Sequence, residues 1–131
     1  MKSVVIGKNR AINFALGELL VEGIACTVHY IFPQEVLTNF DFEQLREAEL
    51  LLIDLNSSIT DSQLFVKELH EINSHAKIVA LHIYKDLDLI NSILRAGASA
   101  YLLINTKREE LIEAVHEIFA GKVFIAPELT G

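Results

Sequence analysis

The chain of 131 residues has one cysteine, no tryptophan and two prolines, and its basic residues are few. Because Cys26 has no second cysteine to pair with, an internal disulfide is excluded, which suits a reducing compartment. The 11 Lys and Arg stand against 18 Asp and Glu, so the formal net charge is −7. We therefore expect no direct nucleic-acid binding by this domain, because phosphate contacts need clustered basic side chains.

Long hydrophobic runs are also missing. No apolar stretch approaches the roughly 20 residues that span a membrane, and the first residues do not form a signal peptide. We therefore expect a cytoplasmic protein without membrane contact. The contents of 51% hydrophobic and 22% charged residues are typical of a folded domain, and we interpret residues 1–131 as a single domain.

Short apolar runs alternate with segments of helical spacing. Most of these runs are apolar at every position, which indicates strands buried on both faces, as in a parallel sheet. The predicted strands are Ser3–Ile6, Ala25–Ile31, Leu50–Asp54, Ile78–His82 and Ala100–Leu103.

Helical spacing separates the predicted strands. Apolar residues spaced three or four apart predict helices around Ile12–Leu20, Phe65–Ile72, Ile90–Leu94 and Leu111–Phe119. Gly97 has the position of a left-handed helix end. The second helical segment, Pro33–Glu47, is the weakest, since Pro33 suits a first helical turn but Asn39 and Asp41 can divide the segment in two.

The last helix has its own predicted boundaries. Thr106 followed by Glu109 has the pattern of a capping box at its start, and Gly121 marks its end. The tail Lys122–Gly131 is expected to leave the domain with a little extended structure at Val123–Ala126, as the beginning of a possible linker to an output domain.

Five β–α units in this order predict an α/β fold with a doubly wound, five-stranded parallel sheet. Functional residues of such sheets lie at the carboxyl ends of the strands. The residues at these ends are Gly7, Lys8 and Asn9 after the first strand, then Asp54, His82 and Ile104.

Several segments resemble the receiver domains of bacterial two-component response regulators. Leu50–Asn56 resembles the strand that carries the phospho-acceptor aspartate, and Arg95–Leu103 resembles the end of the fourth helix with the fifth strand. Gly121–Leu129 is similar to the NarL/LuxR type, in which a helix-turn-helix output domain follows the receiver. The resemblance implies a (βα)5 flavodoxin-like receiver fold and a role in phosphorelay signal transduction and transcription regulation.

The resemblance also implies a site, from which this sequence departs. The family uses two acidic residues after strand 1, a strand-3 aspartate, a Ser or Thr after strand 4, an aromatic residue in strand 5 and a Lys after it. Asp54 and the aromatic Tyr101 match. The remaining family positions are degenerate here, falling on Gly7 and Lys8 (or Lys8 and Asn9), on His82 and on Ile104.

These departures predict an atypical receiver that acts through protein–protein contacts without Mg²⁺-dependent phosphorylation. We expect no enzyme activity beyond weak phosphotransfer at Asp54, no metal site and no cofactor, with Mg²⁺ bound only if Asp54 is phosphorylated. The first alternative is a receiver that a histidine kinase phosphorylates on Asp54. The second is a small-molecule sensor, whose pocket at the strand ends is lined by Gly7, Asn9, Asp54, His82 and Ile104.

Expected partners are a histidine kinase or another regulatory protein, a second copy of the chain and, if a helix-turn-helix output domain follows, DNA through that domain. Lys8 is expected to pair with Asp54. His82 either fills the place of the Ser or Thr, or senses pH. Tyr101 is either a two-state switch or a packed ring with a hydrated hydroxyl. Ile83 and Tyr84 are expected to offer apolar contact surface.

Overall fold

Strands and helices alternate in a computed structural model, which describes residues 1–56 and 61–130. None of the helices in these ranges is long and apolar enough to cross a membrane. The strands are β1 (Lys2–Ile6), β2 (Thr27–Ile31), β3 (Leu50–Asp54), β4 (Lys77–His82), β5 (Ala100–Leu103) and β6 (Phe124–Ile125). The helices are α1 (Arg10–Gly23), α2 (Asn39–Glu47), α3 (Ser62–Ile72), α4 (Leu87–Ala96), α5 (Arg108–Phe119) and α6 (Pro127–Thr130).

The strands form one parallel sheet in the order β2-β1-β3-β4-β5-β6. The predicted parallel α/β sheet is confirmed, but the number of strands is six and not five. Every residue of β3 is buried, as its continuous apolar sequence predicts.

Two apolar clusters cover the two faces of the sheet, which is the doubly wound arrangement. One cluster joins the sheet to α2, α3 and α4, through residues such as Leu45, Val66 and Ile93. The other joins it to α1 and α5, through residues such as Leu20 and Val115. Because side chains alternate along a strand, neighbouring residues of one strand enter opposite clusters.

The start of α2 differs from the prediction. Pro33 lies in a turn in which the Glu35 N–H donates to the Phe32 carbonyl (2.9 Å), and the helix begins only at Asn39. A capping box fixes this start, since Thr38 and Asp41 exchange side-chain hydrogen bonds with each other's backbone N–H. A proline is compatible with both a turn and a first helical turn, so Pro33 did not discriminate between them.

The capping box predicted at the start of α5 is wrong. The N-cap residue is Lys107, without a side-chain cap, and the Thr106 hydroxyl donates instead to the Glu110 side chain (3.0 Å). The acidic residues Glu109 and Glu110 lie in the first helical turn, where the helix dipole favours negative charge.

The tail was predicted to leave the domain at Lys122, but in the structure it stays on the sheet. The Phe124 N–H donates to the Ser99 carbonyl and the Ala126 N–H to that of Tyr101, both at 3.0 Å. The predicted extended structure is confirmed at Phe124–Ile125, but these residues lie in the sheet and cover the outer edge of β5. A linker among the residues that follow stays a prediction.

Two glycines with positive φ follow helix ends, and comparing them separates the cost of backbone strain from the cost of a steric clash. Gly97 (φ 133°) closes α4, and a Cβ added there would lie 2.7 Å from Cγ of His70; Gly121 (φ 87°) has no atom within 4 Å of the same position. We expect Gly97→Ala to cost about 3 kcal/mol, because backbone strain and a clash add, and Gly121→Ala about 1 kcal/mol. Urea unfolding followed by circular dichroism measures both, and equal losses would contradict the clash.

Candidate functional site

The carboxyl edge of the sheet brings the sequence-predicted site residues together. The parallel hydrogen-bond ladder continues past the strands, because the N–H groups of Gly7, Leu55 and Ile104 donate to the carbonyls of Ile31 (3.2 Å), Leu81 (2.8 Å) and His82 (2.9 Å). Gly7, Asp54, His82 and Ile104 therefore end neighbouring strands at fixed backbone positions, as the strand-end rule predicts.

Asp54 is the last residue of β3 and is 1% exposed. One carboxylate oxygen accepts the N–H of Asn56 at 3.0 Å. Asp54 borders a shallow depression of about 290 Å³, together with Lys8, Asn9, Ile12 and Asn56. Lys8 and Asp54 therefore line the same depression, and the ion pair between them stays a prediction.

Asn13 is a site residue that the sequence reasoning missed. It is fully buried, and its side-chain Nδ2 donates to the Gly7 carbonyl at 2.8 Å. A Cβ added at Gly7 would lie 2.5 Å from Asn13 Oδ1 and 2.9 Å from Asp54 Cβ. The space into which a carboxylate at position 7 would extend is therefore filled by the amide of Asn13.

A periodicity in the sequence could have revealed Asn13. It lies three residues before Leu16 and seven before Leu20, so it shares their buried face of α1. A polar residue on an apolar helix face needs a hydrogen-bond partner, and for Asn13 the Gly7 carbonyl after β1 is that partner. Asn9, in contrast, has a local role as the N-cap of α1, where its side chain accepts the Ile12 N–H at 3.0 Å.

The residues at this edge do not fit Mg²⁺. That ion prefers oxygen ligands in near-octahedral geometry, and carboxylates supply the charge that holds it. Among the described residues that line the depression, Asp54 is the one carboxylate, and Lys8 adds an ammonium group there. Within residues 1–56 and 61–130, no group of three or more His, Cys, Asp or Glu side chains could hold a metal ion.

His82 ends β4 and is 4% exposed. Its Nδ1 accepts the N–H of Ile83 at 2.9 Å, an arrangement that requires a neutral ring with the proton on Nε2. Burial lowers the pKa of His82, and the negative charge of Asp54 opposes this effect in part. His82 and Ile104 border a second depression of about 290 Å³, beside the one that Asp54 and Asn9 border.

Tyr101 is fully buried in the cluster beneath α4. Its hydroxyl donates to the Tyr84 carbonyl at 2.7 Å, so the expectation of a hydrated hydroxyl is wrong. Burial, with a further contribution from Asp86, raises the pKa of Tyr101 to about 12. The His82 ring lies 4.7 Å from the ring of Tyr84 and 6.4 Å from that of Tyr101.

The loop after β4 exposes apolar surface, in the place where the sequence predicted it. Ile83 and Tyr84 are 47% and 55% exposed, and Leu87 at the start of α4 is 56% exposed. The backbone of the same loop is joined to the core by the Tyr101 hydroxyl. One hydrogen bond therefore joins the buried Tyr101 to the backbone of the loop whose apolar side chains are exposed, and the use of this loop as a contact surface stays a prediction.

No protein-family model matches the chain. The oxygen regulatory protein NreC of Staphylococcus carnosus (strain TM300) is 32% identical to it over 85 residues, 64% of this chain and 39% of the relative. The transcriptional regulatory protein LnrK of Bacillus subtilis (strain 168) is 30% identical over 91 residues, 68% of this chain and 41% of the relative. The chain thus spans about two fifths of the length of these curated relatives.

The fold is shared with solved receiver domains. The isolated REC domain of RcsB from Salmonella enterica serovar Typhimurium, in the apo form, is similar with a TM-score of 0.81. The comparison covers 99% of this chain and 96% of that one, at 16% sequence identity.

The lowered pKa of His82 predicts a pH dependence of stability. Because the unfolded chain binds the proton at a higher pH than the folded chain, the contribution of His82 is fully present above pH 6.5. It is lost as the pH falls from 6.5 to the lowered folded-state pKa. We expect a smaller loss in free energy of unfolding between pH 7.5 and 5.5 for His82→Asn, which keeps an acceptor near Nδ1. Urea unfolding at both pH values checks this, and identical losses in the two proteins would contradict it.

The packing of Asn13 against Gly7 predicts the effect of restoring an acid. We expect Gly7→Asp to lower the free energy of unfolding by about 3 kcal/mol, because the new side chain meets Asn13 Oδ1. In an Asn13→Ala background the cost of the same change should fall by about 1 kcal/mol. Asn9→Asp is the matched control, since an N-cap aspartate is tolerated. Urea unfolding of Gly7→Asp, Asn13→Ala, the double variant and Asn9→Asp tests the contact. If the losses of the two single variants simply add in the double variant, the contact is refuted.

Proposed function

Since this chain has the receiver-domain fold and its homologues are response regulators of the NarL/NreC/LuxR family, we propose that it is an atypical receiver. It passes a signal through protein–protein contacts and does not depend on Mg²⁺-dependent phosphorylation of Asp54. Its partners are a second copy of the chain or another regulatory protein. DNA is reached only through a helix-turn-helix domain downstream.

The observation that carries this proposal is the contact of Asn13 with Gly7. A receiver of the ordinary kind needs carboxylates next to the phospho-acceptor to hold Mg²⁺, and here a buried amide fills that space. Phosphoryl transfer depends on such a metal, because the charge that develops on the phosphoryl oxygens must be offset.

The two groups that would receive the phosphoryl oxygens are also replaced. His82 uses Nδ1 as an acceptor from Ile83, so this nitrogen cannot donate to an anion. Ile104 is half-buried against the apolar cluster under α5 and brings no charge where the family has a lysine. At His82 the Nε2–H is the ring's one remaining donor, and the absence of a lysine charge at Ile104 lowers the affinity of the site for a phosphoryl group, which supports signalling by another route.

The position of Tyr101 supports an output surface that is set without phosphorylation. In the family, the aromatic residue moves inward when the Ser or Thr moves. Here the ring is fully buried already, and its hydroxyl is bound to the Tyr84 carbonyl. The exposed Ile83, Tyr84 and Leu87 are then held in one arrangement, which favours their use as a contact surface.

One observation favours a second function. Asp54 borders an open depression with Lys8, so a phosphodonor brought by a histidine kinase would meet a carboxylate and a nearby ammonium group. In this alternative the kinase supplies what the site lacks. The alternative and the proposal differ in whether a phosphoryl group is found on Asp54.

Intact mass spectrometry after incubation with Mg²⁺ and acetyl phosphate tests the proposal. We expect no phosphoryl adduct on the chain, as on an Asp54→Ala control, because the carboxylates that would hold Mg²⁺ beside Asp54 are replaced by Gly7 and Lys8. A receiver with a complete site, treated in parallel, checks the reagent. An adduct on the unchanged chain that the Asp54→Ala variant lacks would contradict independence from phosphorylation.

A further inference from the structure

An apolar cavity of about 270 Å³ lies between α2 and α3. It shares no lining residue with the Asp54 depression. Its floor is formed by Ile6 and Ile31, the last residues of β1 and β2. Apolar side chains of the two helices form its walls, among them Phe42, Leu45, Phe65 and Leu69.

The cavity exists because α2 begins late. Residues 33–38 cross the gap as a turn and an extended segment, so no helical turn fills the space, and Pro33 and Leu37 close one side of it. Protein interiors are otherwise packed with few voids larger than a water molecule. An engineered apolar cavity of roughly 150 Å³ binds benzene, so this one can accommodate a phenylalkyl group.

One polar side chain faces this apolar surface. Glu68, an exposed residue of α3, lines the cavity, and its carboxylate forms no hydrogen bond or ion pair with the residues that the structure describes. A small ligand site of this kind is mostly apolar, with few polar groups that fix orientation. The formal net charge of −7 adds a field that attracts cations.

We propose that the α2–α3 cavity is a binding site for a small amphipathic amine. The apolar body fills the cavity, and the ammonium group pairs with the Glu68 carboxylate at the rim. This site is separate from the one at Asp54, and binding to it does not require the function proposed above.

Two contacts connect the cavity wall to the loop after β1. The Gln34 side-chain amide donates to the Lys8 carbonyl at 3.1 Å, and Arg10 pairs with Glu35 at 3.1 Å. The segment that closes the cavity is thus attached on both sides of Asn9. A ligand in the cavity would therefore change the position of the loop that contributes Lys8 to the Asp54 depression.

A titration of the ¹⁵N-labelled chain, followed by amide chemical shifts, tests the site. The probe is 2-phenylethylamine, compared with 2-phenylethanol and 3-phenylpropanoate at low salt. We expect shifts at the amides of Leu37 and Leu69, with the amine bound about threefold more tightly than the alcohol and the carboxylate weakest. No shift with any probe, or equal affinities for amine and carboxylate, would overturn the proposal.

Variants on α3 identify the contacts. Ile72→Trp should fill the cavity and weaken the amine at least tenfold, whereas Leu64→Trp, on the same helix but outside the cavity, should not change binding. Glu68→Gln should reduce the affinity for the amine to that for the alcohol, with Glu71→Gln as the control for net charge. An Ile72→Trp or Glu68→Gln variant that binds the amine as the unchanged chain does would refute the site.

Discussion

The parallel hydrogen-bond ladder is the constraint on which the rest of this structure depends. It extends one residue past β1, β3 and β5 and so fixes the backbone at Gly7, Leu55 and Ile104. The strands beneath are buried on both faces, so close packing against the helices on each side holds them in this register. The site geometry is therefore inherited from the core, and the side chains at the edge can change without loss of the fold.

That independence explains how a receiver scaffold persists around an altered site. Asn13 satisfies the carbonyl of Gly7 from within α1, and His82 satisfies the N–H of Ile83, so the replacements bring their own hydrogen bonds. A hydrogen bond offsets the cost of burying a polar group, and of the Asn13 amide it is Nδ2 that is bonded, while Oδ1 is buried without a hydrogen bond to the described residues. The described part of the edge thus combines the carboxylate of Asp54 with the ammonium group of Lys8 and neutral side chains.

The sequence predicted the strands well, because continuous apolar runs are the signature of a doubly covered sheet. Leu50–Asp54 and Ala100–Leu103 were predicted with the observed bounds. β6 was predicted only as extended structure, since two residues are too short to show a period or a partner. Helical spacing places Asn13 on the buried face of α1, but its contact with Gly7 depends on how α1 packs against the end of β1, which no local pattern records.

The late start of α2 connects the α2–α3 cavity with the loop beside Asp54, a relation that the sequence analysis did not predict. Asp41 closes the capping box with Thr38 and also contacts Nε2 of His29 on β2 at 2.8 Å, so one carboxylate fixes both the first helical turn and its place against the edge strand. The helix therefore cannot extend backward over Ile31, and the chain before it must cross as an open segment. Gln34 on that segment then bonds to Lys8. The α2–α3 cavity and the loop beside Asp54 are in this way consequences of the same helix boundary.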